Sequence, residues 1–465
     1  MMHITILALG SRGDVQPFVA LALALQQRGH AVRIAAPEDY AFLVEDYGLP
    51  FHTLGGLIRE QMDMERVAAM LDGAGNPLRY AAETLPQVVP LVGRLVADAW
   101  HAAEDADALV VSTLGAYPGI SVAEKRGAPV VVAHFHPLAQ TSGAQHVNFP
   151  ALPAWLPLRA QYNQLTHFLG AHGLWQLLRP ALNRARRQIL GLPPFSPAAL
   201  VRRVGGLDKV VYGYSRHLAP LPPTAPPDVP VTGFWFLPRP TGWQPDPVLL
   251  HFLENGPPPV YIGFGSNLTG RTPDALTALY LEALGRIGQR GLFFGGWGDF
   301  GNIPLPPTAL RVDNIPHDWL FPRVAAVVHH GGAGSTSAAV AAGIPSVAMP
   351  FQGDQFFWAH QLHALGCGPA PLSRQALTAE NLAATIADLV ANGSYRTNSK
   401  ALGIQLCAEH GPTAAAAWIE QTLSARSPLP ARSNTNLDLL TAQHHPAWPE
   451  PAKRLQSPPS HGSST

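Results

Sequence analysis

The sequence predicts an α/β protein in which two doubly wound parallel sheets follow one another along the chain. Strand and helix patterns alternate in both halves, which is typical of parallel sheets covered by helices on both faces. Between the halves, residues 218–247 contain ten prolines, too many for regular structure. The 465 residues also exceed what one core usually supports. We therefore expect two Rossmann-like domains, residues 1–217 and 248–425, a proline-rich linker at 218–247 and a disordered tail at 426–465.

In the first half, apolar runs rich in β-branched residues predict buried strands. A helix is expected from about residue 16 to 28, since Pro17 suits the first turn of a helix. No basic segment precedes the first apolar run, so we expect a strand there and not a signal peptide. The predicted strands are residues 4–9, 31–36, 108–112 and 130–133.

The same pattern restarts after the prolines. Short apolar runs again alternate with longer stretches of helical period, which predicts a second parallel sheet. The predicted strands are residues 259–264, 292–295, 324–328 and 345–349, and the predicted helices are 274–290, 381–391 and 413–423.

The most informative segment follows the predicted strand at 324–328. It continues as HHGGAG at 329–334, where glycines let the backbone approach a ligand. Three hydroxyl residues, 335–337, then serve as helix N-caps ahead of an alanine-rich helix. Free backbone N–H groups and the positive end of the helix dipole would point out of the turn, with His330 beside them. The segment therefore predicts a seat for a diphosphate.

The loop after the first predicted strand reads GSRGDVQP at 10–17. Ligands of open α/β sheets bind at this kind of strand-to-helix junction. Asp14 therefore either faces a ligand or only caps the helix that follows. A dinucleotide site is weakly indicated, because G-x-x-G is not the G-x-G-x-x-G fingerprint.

Two further loops follow predicted strands of the second half. Gly265 and Ser266 offer a backbone N–H and a hydroxyl for a phosphate, although the same residues also suit an ordinary turn. Asp354 and Gln355 place a carboxylate and an amide at the carboxyl end of the same sheet. Side chains of this kind bind sugar hydroxyls in pairs.

Composition excludes several classes of partner. Lysine plus arginine equals aspartate plus glutamate at 31 each, so nothing in the overall charge recruits nucleic acid. Two cysteines fit a reducing, cytoplasmic compartment, and we expect both to be buried thiols. The sequence contains no uninterrupted run of 18 apolar residues, so we expect no membrane span. The D-x-D segment at 105–107 precedes its strand, and we expect its carboxylates to be solvated. The histidines show no zinc-binding pattern. We therefore expect no metal and no cofactor.

Over roughly residues 1–425 the chain resembles the inverting glycosyltransferases of the two-domain GT-B fold, in the branch with sterol 3-beta-glucosyltransferases and antibiotic-biosynthesis glycosyltransferases. The resemblance is carried by GSRGDVQP, NIPHDWLFPRVAAVVHHGGAGSTSAAVAAGIP and PFQGDQFFWAHQLHALGCG. Within these, IPHDWLFP and FQGDQFFWA look closest to sterol-type members. Plant relatives use a histidine base where this loop has Ser11 and Asp14.

The resemblance implies a role for each matching residue. Asp14 would be the base, and the remaining positions would bind the donor. Ser11 and Arg12 would line the site; His330, Gly332, Gly334, Ser335, Thr336, Ser266 and its neighbour Gly265 would hold the diphosphate; Asp354 and Gln355 would hold the hexose; and the backbone at Ile315 and His317 would border the uracil.

The implied activity is metal-independent transfer of a hexose, taken as glucose, from a UDP-sugar to a hydroxyl of a lipophilic acceptor such as a sterol, a related terpenoid or a polyketide alcohol. A TDP-sugar donor, a sugar-nucleotide 2-epimerase and a non-catalytic sugar-nucleotide binder are the alternatives. An epimerase would need acid and base groups flanking the hexose itself.

The middle of the first half is both aromatic and basic. A basic, aromatic-flanked helix there would make a peripheral contact with a membrane surface and collect a lipid alcohol, whereas plain helix packing is the simpler interpretation. The residues are Phe135, Phe149, Trp155, Tyr162, Phe168 and Trp175, with Arg159, Arg179, Arg184, Arg186 and Arg187.

Overall fold

The computed structural model describes most of the chain up to residue 424. The described residues are 1–56, 82, 86, 88–137, 146, 149, 152, 157–197, 209–221, 230–264, 272–294 and 303–424. The predicted tail at 426–465 lies outside them, as do Gly265, Ser266, Trp155 and residues 222–229 of the predicted linker.

The first sheet is parallel throughout, with strand order β3-β2-β1-β4-β5-β6. The central strand β4 is buried along its whole length and β1 along all but its first residue, because helices cover both faces. Each fully buried Val or Ile in such a strand contributes about 1.5–3 kcal/mol. The strands are β1 His3–Leu7, β2 Ala31–Ala36, β3 Phe51–Thr53, β4 Ala108–Ser112, β5 Val130–His134 and β6 Val210–Tyr212. The helices are α1 Arg12–Gln27, α2 Ala41–Glu45, α3 Val92–Ala102, α4 Ala116–Arg126 and α5 Arg159–Gln188.

The second sheet is also parallel, with strand order β11-β10-β7-β8-β9. Its strands are β7 Val260–Gly263, β8 Gly291–Phe294, β9 Ala309–Val312, β10 Ala326–His329 and β11 Ser346–Ala348. The helices are α6 Pro247–Glu254, α7 Pro273–Arg286, α8 His317–Leu320, α9 Ala333–Ala341, α10 Asp354–Ala364, α11 Ala379–Ala391, α12 Gly393–Cys407 and α13 Gly411–Ser424.

These two sheets confirm the predicted fold class. The predicted strands are present to within two residues at each end, whereas β3, β6 and β9, of three or four residues each, were not predicted. Helix α1 begins at Arg12 and not at residue 16, so that prediction was wrong. Pro17 is tolerated one turn inside, because it removes only the hydrogen bond to the carbonyl of exposed Gly13. Cys367 is buried as expected, but Cys407 is exposed.

Each sheet reverses its strand order at one place. In the first sheet β1 lies between β2 and β4, and in the second β7 lies between β8 and β10. Loops leaving the carboxyl ends of such neighbours diverge, and ligands bind in the crevice between them. The loop with Asp14 follows β1, and the glycine turn follows β10. The fold therefore places both predicted sites at crevices.

The last helix returns to the first sheet. Ala415, Ala416 and Ile419 of α13 are buried in the same core as Phe18 of α1. Arg28 Nε donates to Glu420 Oε2 at 2.7 Å and extends this contact to the surface. Residues of α13 therefore tie the end of the second half to the first. No helix in the described ranges has both the length and the apolar composition needed to cross a bilayer.

Candidate active site

The loop after β1 is shaped around the carboxylate of Asp14. Gly10 has φ +142°, and a Cβ built on it would lie 2.3 Å from Asp14 Oδ2. Only glycine leaves room for the carboxylate to fold back over the loop. Ser11 then donates to Asp14 Oδ2 twice, from its backbone N–H at 2.7 Å and from its hydroxyl at 2.9 Å. The local sequence therefore fixes the carboxylate where the strand ends.

Asp14 also has an unusual acidity. Burial raises its pKa from the ordinary 3.8 to about 6, the two hydrogen bonds from Ser11 oppose the rise, and the charge of Asp354 adds to it. Asp14 does cap α1, as the simpler interpretation held, since it accepts the Ser11 N–H. The cap is not the only interaction of Asp14, because Asp354, whose charge acts on it, belongs to the second half of the chain.

The glycine turn after β10 carries the chain directly into α9. Gly331 has φ +86°, and a Cβ there would lie 2.8 Å from the carbonyl oxygen of Gln355. Gly332 is the N-cap, so the helix begins at Ala333 and the expectation that residues 335–337 cap it was wrong. Because the left-handed turn at Gly331 already completes the reversal, Ser337 lies inside the helix and donates to the Gly334 carbonyl at 3.1 Å.

The first backbone N–H groups of a helix have no partner inside it. In α9 these are the N–H groups of Ala333, Gly334 and Ser335. They lie at the helix end that borders the crevice beside β7. Thr336 is fully buried, and its hydroxyl has no hydrogen-bond partner among the described residues. The turn thus presents donors and a positive dipole end to an anion.

Two histidines precede the glycines and both are held neutral. His329 Nδ1 accepts from the Gly331 N–H at 3.0 Å, which orders the turn, and burial lowers its pKa to about 3. Burial lowers the pKa of His330 to about 4, and its buried Nδ1 has no hydrogen-bond partner within the described ranges. His329 Nε2 is likewise without a hydrogen-bond partner there, but His329 is fully buried whereas His330 is partly exposed, so His330 is the member of the pair that a ligand can reach.

The loop after β11 orients Asp354 and Gln355 differently. Asp354 Oδ2 accepts from Trp358 Nε1 at 3.0 Å, one turn along α10. Gln355 Oε1 accepts from the N–H groups of Phe351 at 2.8 Å and Gln352 at 3.1 Å. The structure therefore uses the carbonyl of Gln355 to build the loop, while Asp354 stands at its edge.

The first and second halves meet at these loops. Arg12 Nη1 donates to Asn314 Oδ1 at 2.9 Å. Ile315 follows Asn314 directly, and His317 opens α8, where its ring stacks on Phe321 with centroids 4.3 Å apart. Burial lowers the pKa of His317 to about 3, with the charge of Arg12 contributing. Arg12, Ile315 and His317, which were predicted from separate motifs, thus lie in one region where the two halves meet.

One residue at this place was not predicted from the sequence. His136 follows β5, and its Nδ1 lies 4.0 Å from Asp354 Oδ2. No motif marks it. Only the facing of the two sheets at their carboxyl edges brings it to the second half, and a single histidine in a loop carries no such signal.

The D-x-D segment lies at the other end of the first sheet. Arg33 Nη1 donates to Asp105 Oδ1 at 2.6 Å, and Asp107 Oδ2 accepts from the His3 N–H at 2.8 Å where β1 begins. Asp105 is about half exposed, as expected for a solvated carboxylate. Among the described residues, no three His, Cys, Asp or Glu side chains are grouped as a metal would require.

Two family models match the chain. The model of the Glycosyltransferase family 28 N-terminal domain matches residues 4–143. The model of the C-terminal domain of Erythromycin biosynthesis protein CIII-like proteins matches residues 299–421. The first covers the loop with Asp14, and the second covers the glycine turn and the Asp354 loop.

Relatives of known activity match nearly the whole chain. A sterol 3-beta-glucosyltransferase of Arabidopsis thaliana is 34% identical over 94% of this chain and 71% of its own length. The O-mycaminosyltylonolide 6-deoxyallosyltransferase of Streptomyces fradiae is 35% identical over 92% of this chain and 99% of its own. The sterol 3-beta-glucosyltransferase of Yarrowia lipolytica is 32% identical, but this chain spans only 29% of that enzyme.

Solved structures agree with the fold. The glycosyltransferase VinC in complex with DTDP superposes with a TM-score of 0.62 at 20% identity, covering 91% of this chain and 100% of that one. The glycosyltransferase of kitacinnamycin superposes with a TM-score of 0.60 at 19% identity, covering 90% and 99%. With its two parallel sheets, its matched family models and relatives above 30% identity, the chain belongs to the GT-B glycosyltransferases that include sterol 3-beta-glucosyltransferases and antibiotic-biosynthesis glycosyltransferases.

Proposed function

We propose that the protein transfers a hexose, glucose in the first instance, from a UDP-sugar to a hydroxyl of a lipophilic small molecule, with inversion at the anomeric carbon. The observation that carries the proposal is the proximity of Asp14 and Asp354. They come from loops of different sheets, yet the charge of Asp354 raises the pKa of Asp14. A hexose held by Asp354 would therefore lie within the range of a base on the opposite domain.

The donor diphosphate is assigned to the start of α9. The N–H groups of Gly334 and Ser335, the Thr336 hydroxyl and the neutral ring of His330 are donors or acceptors fixed before the ligand arrives. Preorganised donors of this kind stabilise the negative charge that develops on the departing UDP. We therefore propose that departure needs no metal ion. Gly265 and Ser266 remain predicted partners of the same group, outside the described residues.

Asp14 is assigned as the base. The acceptor oxygen attacks the anomeric carbon while the bond from that carbon to the UDP oxygen breaks. The acceptor proton passes to Asp14, and UDP leaves with the bonding electron pair. Because base and leaving group lie on opposite domains, attack comes from the face opposite UDP and the configuration inverts. A raised pKa of about 6 suits a base that takes up a proton late in the reaction better than an ordinary carboxylate would.

A lipophilic acceptor is supported by the relatives, whose names specify sterols and O-mycaminosyltylonolide, and by helix α5. This helix contains five arginines and no aspartate or glutamate. Leu165, Phe168 and Leu169 are 53%, 52% and 44% exposed and recur at helical spacing, so they form one apolar face. We propose that this face binds the cytoplasmic surface of an anionic membrane, and that the acceptor enters the site from that membrane.

Two residues of the predicted membrane helix do not belong to that face. Arg186 is buried, and its Nη2 donates to Glu124 Oε2 at 3.1 Å. Trp175 is fully buried, and its Nε1 donates to the Pro197 carbonyl at 2.6 Å. Both hold the helix on the first domain. Substituting serine at Leu165, Phe168 and Leu169 is expected to abolish flotation with phosphatidylserine vesicles; unchanged flotation would remove the membrane proposal and leave the transferase proposal intact.

The activity is tested by incubating the protein with UDP-glucose and a panel of sterols and polyketide alcohols in the presence of EDTA. We expect an acceptor mass increased by one hexose and, from the α-configured donor, a β-linked product in the NMR spectrum. TDP-glucose serves as the competing donor and decides between the nucleotides. Conversion of UDP-glucose without any acceptor, into an epimer, would contradict the proposal.

A further inference from the structure

The position of His136 is fixed by the residue before it. The Phe135 ring packs edge-on against Phe18 and Trp235, with ring centroids 5.3 and 5.1 Å apart. A Cβ on Gly213 would lie 2.7 Å from the same ring, so the neighbouring backbone is closely fitted to it. With Phe135 anchored in the core, the next residue is held at the carboxyl edge of the first sheet. His136 is therefore placed by packing and not by a mobile loop.

Asp354 is fixed with equal care on the other side. Its Oδ2 accepts from Trp358 Nε1 at 3.0 Å. Trp358 is fully buried against Tyr214 and Phe234, with ring centroids 6.0 and 5.8 Å away. The His136 Nδ1 then faces the same Oδ2 at 4.0 Å, and the two side chains are only 19% and 29% exposed. Asp354 Oδ2 thus has one polar neighbour from each of the two domains.

The surroundings keep His136 neutral. Burial lowers its pKa, and the charge of Asp354 acts against that shift. His134 and His146 lie close enough for the charge of His136 to lower their own pKa values. A neutral imidazole can donate one N–H without bringing a full charge into the cleft.

We propose that His136 is a positioning residue that holds Asp354 for the donor hexose. When the domains close by about 1 Å, Nδ1–H reaches hydrogen-bond distance of Oδ2. Trp358 and His136 then occupy this oxygen together, and Oδ1 is left for hydroxyls of the hexose. This inference rests on the proposed function, because it takes Asp354 as the hexose ligand. Its consequence is that affinity for the donor sugar depends on a residue of the first domain, although the donor is assigned to the second.

The test separates the hexose from the nucleotide. Binding of UDP and of UDP-glucose is measured by calorimetry for the wild type, His136→Leu, His136→Asn and His136→Gln. We expect His136→Leu to weaken UDP-glucose about tenfold, the loss of one hydrogen bond to a charged group, and to leave UDP unchanged. Asparagine places its amide nitrogen where Nδ1 was and should restore binding, whereas glutamine mimics Nε2 and should not.

A matched control and a mutant cycle complete the design. His360→Leu changes an exposed histidine of the same helix as Asp354, whose Nδ1 only meets the Phe356 carbonyl, and should bind both ligands normally. Combined with Asp354→Asn, the His136→Leu change should have no further effect, because the two residues act as a pair. Additive losses, or an unchanged ratio of UDP-glucose to UDP affinity in His136→Leu, would overturn the inference. Failure of the wild type to bind either ligand would instead overturn the proposed function, and this inference with it.

Discussion

At the scale of single residues, Asp14 shows how a short loop can produce both a position and an acidity. Gly10 makes room for the carboxylate, and Ser11 holds it with two hydrogen bonds. Burial then raises its pKa to about 6 in spite of those hydrogen bonds. A carboxylate kept partly out of water in this way costs stability and gains basicity, which is common at functional sites.

Replacing Asp14 by asparagine is expected to lower kcat about a thousandfold, because a general base is worth roughly 10²–10⁴ in rate. The affinity for UDP should not change, since UDP is assigned to the other domain. The variant should also be more stable at pH 7, by roughly 1 kcal/mol after allowing for solvent screening. Steady-state kinetics and thermal melting measure both effects. Asp46→Asn, at an exposed carboxylate, is the control, and wild-type turnover in Asp14→Asn would remove its role.

The same pKa predicts the pH profile. The base acts when deprotonated, so kcat/KM should fall about tenfold for each unit of pH below about 6. Stability should change in the opposite sense. The raised pKa means that the charged form of Asp14 destabilises the folded state. This destabilisation is absent below pH 3.8, where Asp14 is protonated in both the folded and the unfolded state, and it is complete above about pH 6. Asp354→Asn should move the acid limb to lower pH, because its charge helps to raise the pKa. A profile flat from pH 5 to 8 would contradict the assignment.

The residue scale is also where sequence reasoning reached its limit. Asp14 and Asp354 were predicted because each follows a predicted strand, and parallel strands end at one edge. His136 was missed, because its position opposite Asp354 depends on the facing of the two sheets, which no local pattern encodes. Gln355 stays a predicted hexose ligand beside Asp354, but the sequence did not reveal that its carbonyl accepts from two backbone N–H groups of the loop. Side-chain direction within a turn of this kind is decided by the hydrogen bonds of the turn itself.

At the scale of elements, helix α9 is the feature to which we assign donor binding. Its sequence predicted a helix N-terminus at a glycine turn, and that element is present. Its start was predicted too late, because serine and threonine are strong N-caps in isolation. The left-handed Gly331 overrides them by turning the chain earlier.

Gly331→Ala tests this element. A Cβ would meet the Gln355 carbonyl at 2.8 Å with the backbone at φ +86°, so we expect a loss of about 1–3 kcal/mol in unfolding free energy and weaker UDP binding. Gly285→Ala, in α7 with nothing within 4 Å of the added Cβ, should instead be neutral or slightly stabilising. Denaturant melts and calorimetry with UDP measure both variants. Equal behaviour of the two would show that the turn tolerates a side chain.

At the scale of the whole molecule, the proposed site draws its residues from both sheets. The first sheet brings Asp14 and His136, and the second brings the α9 turn and Asp354. The two parallel sheets were predictable, because alternating strand and helix patterns are visible in the sequence. The return of α13 to the first sheet was not, because its packing on α1 is a contact between residues almost 400 positions apart, as in Arg28 and Glu420.

The most direct measurement is a crystal structure of the Asp14→Asn protein with UDP-glucose bound. It should show the diphosphate on the N–H groups at the start of α9, the hexose hydroxyls on Asp354, and the substituted side chain at position 14 facing the anomeric carbon from the opposite domain. A nucleotide bound away from α9, or position 14 turned away from the hexose in a closed molecule, would contradict the central claim.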